Sequence, residues 1–142
     1  VADLTPINTA VYNRLKSDSA GSAVRTALGG AGRVVRLKDL RAPAPVPPAP
    51  FVALRMLPAP LVERGVSRAG YEWRIYGDGA DDYTITTLAG LIAAAYAASP
   101  IQYTTGGVVG LVEVTGLGGE AHDETLGLSV RVLPLSILIG DA

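Results

Sequence analysis

GYEWRIYGDGADDYTITTLAGLIAAAYAASP, residues 70–100, reads as a strand, an acidic turn and a capped helix in immediate succession. Tyr71, Trp73 and Ile75 alternate with Glu72, Arg74 and Tyr76, the period-two pattern of a strand with one buried and one exposed face. GDGADD breaks the strand. Asp81 or Asp82 is placed to accept hydrogen bonds from the open N–H groups of the next helix, where negative charge also complements the helix dipole. Ile85, Leu88, Ala89, Ile92 and Tyr96 share one face of that helix, and Ser99-Pro100 ends it, because a residue before proline avoids the α region.

Upstream, Phe51 to Leu57 forms a strand that Leu57-Pro58-Ala59-Pro60 stops, and a second strand runs from Val66 to Tyr76, giving an antiparallel pair with a proline-containing connection. Val52, Leu54 and Met56, with Tyr71, Trp73 and Ile75, are expected to face the stripe Ile85, Leu88, Ile92 and Tyr96. A one-residue slip would bury Glu72 and Arg74 instead. Thr5-Pro6 signals a helix start, with Ile7, Ala10, Val11 and Leu15 as its buried stripe, and a second short helix from Ser19 to Leu28 ends at Gly29-Gly30. Val34, Val35 and Leu37 suggest a short strand or an extended arm. RAPAPVPPAP, residues 41–50, should be extended without regular hydrogen bonding.

Downstream, Val108 to Thr115 and Leu126 to Ile139 form a second strand pair joined by the polar, glycine-rich GLGGEAHDETLG. Leu128, Val130 and Val132 alternate, then the apolar phase shifts to Leu133, Leu135, Ile137 and Ile139. Pro134 lacks a ladder donor, so a bulge or an edge is expected there. The order places helices on one face of a mainly antiparallel sheet, an α+β fold in one domain over residues 1–142.

The 142 residues are 49% hydrophobic and 18% charged and contain no cysteine, which excludes disulfides and thiolate chemistry. Leu88 to Ala98 is about half the ~20 residues needed to cross a bilayer, and VADLTP lacks a basic and an apolar signal region, so neither a membrane span nor a signal peptide is expected. The net charge of −1 hides an asymmetry. Residues 1–74 carry eleven basic side chains against five acids, 11 − 5 = +6, while the remainder carries Arg131 against eight acids, 1 − 8 = −7. Either the halves occupy different surfaces and favour head-to-tail association, or strand pairing interleaves them and the field cancels.

Little reaction chemistry is visible. His122, Asp123 and Glu124 are consecutive and point in different directions, which suits a solvated turn better than a metal site. Asp78, Asp81 and Asp82 suggest a calcium loop, but the twelfth position from Asp78 is Ala89, where a bidentate glutamate is needed. Gly29-Gly30-Ala31-Gly32 follows a helix and lacks the P-loop lysine. No G-x-S-x-G is present, so no catalytic residue, metal or cofactor is expected. Arg33, Arg36, Lys38 and Arg41 form a basic stretch without interleaved aromatics, suited to non-specific phosphate contact rather than sequence reading. Trp73 and Tyr71 read as core residues.

AVYNRLKSDSAGSAVRTALGG, GRVVRL, PFVALRM, YEWRIYGDGADDYTITTLAGLIAAAY and GLSVRVLPLSILI, in this order, resemble the tail terminator or tail completion proteins of long-tailed bacteriophages over nearly the whole chain. The resemblance implies a non-enzymatic virion subunit, assembled in the host cytoplasm, that forms a homo-oligomeric ring, commonly of six copies. The ring ends the tail tube, meets the head-side connector and lets DNA pass. On that reading Pro45, Pro47, Pro48, Glu120, Asp123 and Glu124 are candidate protein contacts, and Arg33, Arg36, Lys38 and Arg41 face DNA in the lumen. The alternatives are a small regulatory or ligand-binding module and a head–tail connector of the same fold.

Overall fold

The computed structural model describes residues 5–40, 47–56, 61–63, 66–77, 82–99, 101–102, 109–114, 116–119, 121–124 and 126–140. Its elements follow the chain as α1 (Thr5–Lys16), α2 (Ser22–Leu28), β1 (Val34–Arg36), β2 (Phe51–Met56), β3 (Leu61–Glu63), β4 (Val66–Gly77), α3 (Asp82–Ala97), β5 (Ile101–Gln102), β6 (Val109–Val114), β7 (Ala121–Asp123) and β8 (Leu128–Gly140). The strands lie in the order β1-β2-β4-β8-β6-β5, with β3 also paired to β4 and β7 to β8. Every pairing is antiparallel except β1 with β2, so the fold is α+β.

All three helices cover one face of this sheet. Ile7, Val11 and Leu15 of α1, Val24 and Leu28 of α2, and Ile85, Leu88, Ala89, Ile92, Ala95 and Tyr96 of α3 are buried against Val52, Leu54, Tyr71, Trp73, Ile75, Leu133, Leu135 and Ile137. Their spacings of three, four and seven along each helix produce that shared face. Gly29 ends α2 at φ 94, with its N–H on the Arg25 carbonyl at 3.0 Å and the Gly30 N–H on the same oxygen at 2.9 Å. This left-handed turn is the reason for glycine there. Gly21 lies so close to α1 that a Cβ would fall 2.1 Å from the Arg14 carbonyl oxygen, so any side chain must displace backbone.

The opposite face is covered in part. Phe51, Ala53, Tyr76 and Val130 form a second buried cluster, with Leu37 and Leu40 from a 3-10 turn and Leu126 and Leu128 packed on it. The rings of Phe51 and Tyr76 stack at 4.7 Å and 11°. Tyr76, expected on an exposed face, is therefore buried, because the strands contribute apolar residues to both faces at this end. Glu72 is also buried and holds Arg55 at 3.2 Å and Arg74 at 3.9 Å.

The same two-sidedness explains the phase shift in β8. Val130 serves the second cluster, and Leu133, Leu135 and Ile137 serve the first. No bulge is needed: β4 and β8 pair residue for residue from Val66↔Gly140 to Gly77↔Ser129. Pro134 sits where β8 exchanges β6 for β7 as neighbour, beyond the last β6 pair, Val114↔Leu135. The Val132 carbonyl accepts the Gly118 N–H at 2.8 Å on that side. Residues two apart present their backbone groups to the same side of a strand, so the donor Pro134 lacks falls in this gap.

Two expectations need correction. The polar segment between β6 and β8 is not only a loop, since β7 lies within it and makes a hairpin with β8. Met56 is 53% exposed although it shares the helix-facing side of β2, because it lies at the end of the strand beyond the cover of α1. Residues 37–50 also acquire a topological role, as the crossover that a parallel β1–β2 pair requires. Asp81, Arg41 and residues 41–46 lie outside the described residues, as does the Asp82 side chain.

The core contains a hydrogen-bonded relay. Trp73 Nε1 donates to the Tyr96 hydroxyl at 2.8 Å, which donates to the Val11 carbonyl at 2.7 Å, tying β4 to α3 and α1. Burial raises the Tyr96 hydroxyl pKa well above its ordinary value and pushes that of Tyr71 from 10.0 up to about 12. The folded state thus keeps protons that the unfolded chain releases, and this contribution is complete below pH 10.0 and lost as pH rises toward about 12. Alkaline titration should show cooperative unfolding coincident with the appearance of buried tyrosinate absorbance, with a shallower stability loss in Tyr96→Phe. Simple titration of every tyrosine in a folded chain would contradict it.

Candidate functional site

Cations dominate the first half of the chain, but several are consumed by the fold. Arg14 donates to the carbonyls of Ala95 and Ser99 at 2.8 and 2.9 Å, Lys16 to those of Ala31 and Val34, and Arg25 to those of Leu15 and Asp18. Most of these carbonyls belong to helix ends and turns, which leave acceptors open, and that of Val34 lies at the start of β1. The guanidinium of Arg33 lies beside Gly29. Arg36 stacks over the Tyr12 ring at 4.6 Å, which holds it on the helix side of β1.

Arg36 and Lys38 border a groove of about 440 Å³ between the first turns of α1, the end of β1 and the end of β2. Arg55 also borders it but is paired with Glu72, while Leu37, Leu54 and Met56 supply apolar lining. The Tyr71 hydroxyl donates to Asn8 Oδ1, pinning α1 to β4 at the groove. The arrangement has no nucleophile–base pair, and no group of three or more metal-ligating side chains is found among the described residues. It can bind an acidic, partly apolar surface.

The acids lie elsewhere. Strands from the first half, β1, β2 and β4, form one lateral half of the sheet, and β8, β6 and β5 form the other. Sheet order sets the described acids Glu113, Asp123 and Glu124 on the side of β8 away from β1 and β2; the other acids of the second half lie outside the described residues or side chains. Glu113 is exposed on β6, and Glu124 is exposed at the turn between β7 and β8. Asp123 is committed to that turn: its carboxylate accepts the Leu126 N–H at 3.0 Å and its carbonyl accepts the Gly127 N–H at 2.7 Å.

Of the sequence-derived candidates, the structure brings Arg36 and Lys38 together at the groove and puts Arg33 beside the C-cap of α2. Pro47 is half-buried and Pro48 exposed, while Arg41, Pro45 and Glu120 lie outside the described residues. Sequence reasoning missed Asn8, Arg55 and the solvent-facing role of Met56. The available signal was Arg55 and Met56 as neighbours at a strand end immediately before prolines, where cover is least assured.

No family model matches the chain, and no curated protein matches it. Among solved structures, the virion of a native gene transfer agent particle contains a chain that superimposes with a TM-score of 0.64, covering 97% of this chain and 99% of that one. The two share a fold from end to end. At 17% identity the likeness is one of architecture. No helix among the described residues is long and apolar enough to cross a membrane.

Proposed function

We propose that this chain is a structural subunit of a phage-like virion, a tail terminator or tail completion protein that closes into a homo-oligomeric ring, commonly of six copies. The ring ends the tail tube at the head–tail junction, joins the head-side connector and surrounds the path of DNA. The end-to-end likeness to a chain of a gene transfer agent virion carries this reading. The lateral separation of charge supports it, because a subunit with unlike sides suits head-to-tail repetition. Arg33 and Arg41 of the basic stretch supply sequence-independent phosphate contact, which needs no base-reading motif. The subunit performs no catalysis and needs no cofactor.

Particles assembled without this chain test the reading. Heads and tails that remain unjoined, or tails of uncontrolled length, are expected by electron microscopy, with gold label on the restored chain at the junction. Normal tailed particles in its absence overturn it.

A further inference from the structure

We propose that the groove bordered by Arg36, Lys38 and Arg55 receives the acidic β7–β8 hairpin of a second copy of this chain; the inference rests on the virion-subunit reading and specifies its contact. The groove combines Arg36 and Lys38 with Leu37, Leu54 and the half-exposed Met56, while Arg55 at its border is already paired with Glu72. A phosphate would satisfy the cations and leave the apolar lining wet, whereas a protein segment carrying both acid and hydrocarbon satisfies both. The hairpin has that composition: Glu124 is exposed, with the partly exposed Leu126 and Leu128 beside it. Its turn is already fixed by the Asp123 hydrogen bonds, so docking costs little ordering.

The contact cannot form within one molecule. Met56 pairs with Tyr71 in the middle of β4, which pairs with Leu135, whereas the hairpin joins β8 at Leu128–Val130, opposite Tyr76 at the C-terminal end of β4. Groove and hairpin thus occupy opposite lateral halves and levels about five residues apart along the strands. Contact between copies is heterologous and repeats head to tail.

Sedimentation of the full chain across a concentration series, at low and high salt, is the test. Lys38→Glu and Glu124→Lys should each weaken self-association about tenfold or more, and the double swap in a single chain should restore it, because every interface then regains an opposite pair. Circular dichroism of each variant should match the parent. Normal association in both single variants, or no rescue by the swap, overturns the contact while particle assembly still judges the virion reading independently. Lys38→Glu that abolishes binding to duplex DNA and leaves self-association intact assigns the groove to nucleic acid and also overturns it.

Discussion

Replacing Trp73 by alanine should lower the unfolding free energy by about 3–5 kcal/mol, the range for deleting a large, well-packed aromatic side chain. Trp73 is fully buried on the central strand β4, and its indole N–H reaches the Tyr96 hydroxyl at 2.8 Å. Alanine therefore opens a cavity under α3 and strips a donor from the relay to Val11. Trp73→Phe separates the two effects: it keeps most of the ring volume, and its loss should be closer to about 1–3 kcal/mol, the cost of an unsatisfied buried polar group. Tyr96→Phe should cost a similar amount and couple to Trp73→Phe in a double-mutant cycle, since both remove the same hydrogen bond. Chemical denaturation measures all four proteins. A Trp73→Ala loss under about 1 kcal/mol, typical of surface substitutions, would contradict the burial of this strand face.

The strand–turn–helix unit was legible because alternation and helical spacing each allow one arrangement. A one-residue slip of the strand would turn Trp73 away from Ile92. What the alternation hid was the second face. Tyr76 beside Glu72 and Arg74 resembles a polar row until Phe51 and Leu40 arrive from distant segments to cover it. Of the bulge or edge expected at Pro134, the structure has a local edge, and it is created by the neighbouring strands, where β6 ends before β7 begins. The parallel placement of β1 likewise depends on non-local pairing, and so makes the segment between β1 and β2 a crossover. Removing residues 43–49 would then shorten the crossover itself, which makes serine substitution of Pro47 and Pro48 the more selective probe of contacts there. Charge was legible as a split between halves; only strand order could place Glu113, Asp123 and Glu124 on the side of β8 away from β1 and β2.

Arg14 is the second position with a large expected effect, and its environment reverses the usual expectation for an arginine. It lies seven residues after Ile7, on the buried stripe of α1, and is 3% exposed. Helix α3 has no basic residue in its last turn, so its terminal carbonyls need a donor from elsewhere. Arg14 supplies it to Ala95 and Ser99, with Asp18 3.5 Å from its Nε and the Tyr96 ring 6.0 Å from the guanidinium carbon. Charge-assisted hydrogen bonds of this kind contribute about 1.5–3 kcal/mol, and Arg14→Ala also removes the packed stem, so a loss of about 3 kcal/mol or more is expected. Arg14→Met retains the stem and isolates the contribution of the guanidinium. Arg14→Lys keeps charge but lacks the planar fork that serves two carbonyls, and should fall between them. Hydrogen exchange should show the loss first at the end of α3, where the chain turns toward β5 and the acidic half of the sheet. If Arg14→Met were as stable as the parent and protection at Ala97 and Ala98 were unchanged, water would suffice to satisfy those carbonyls, and the bridge from α1 would not be what holds this end of α3.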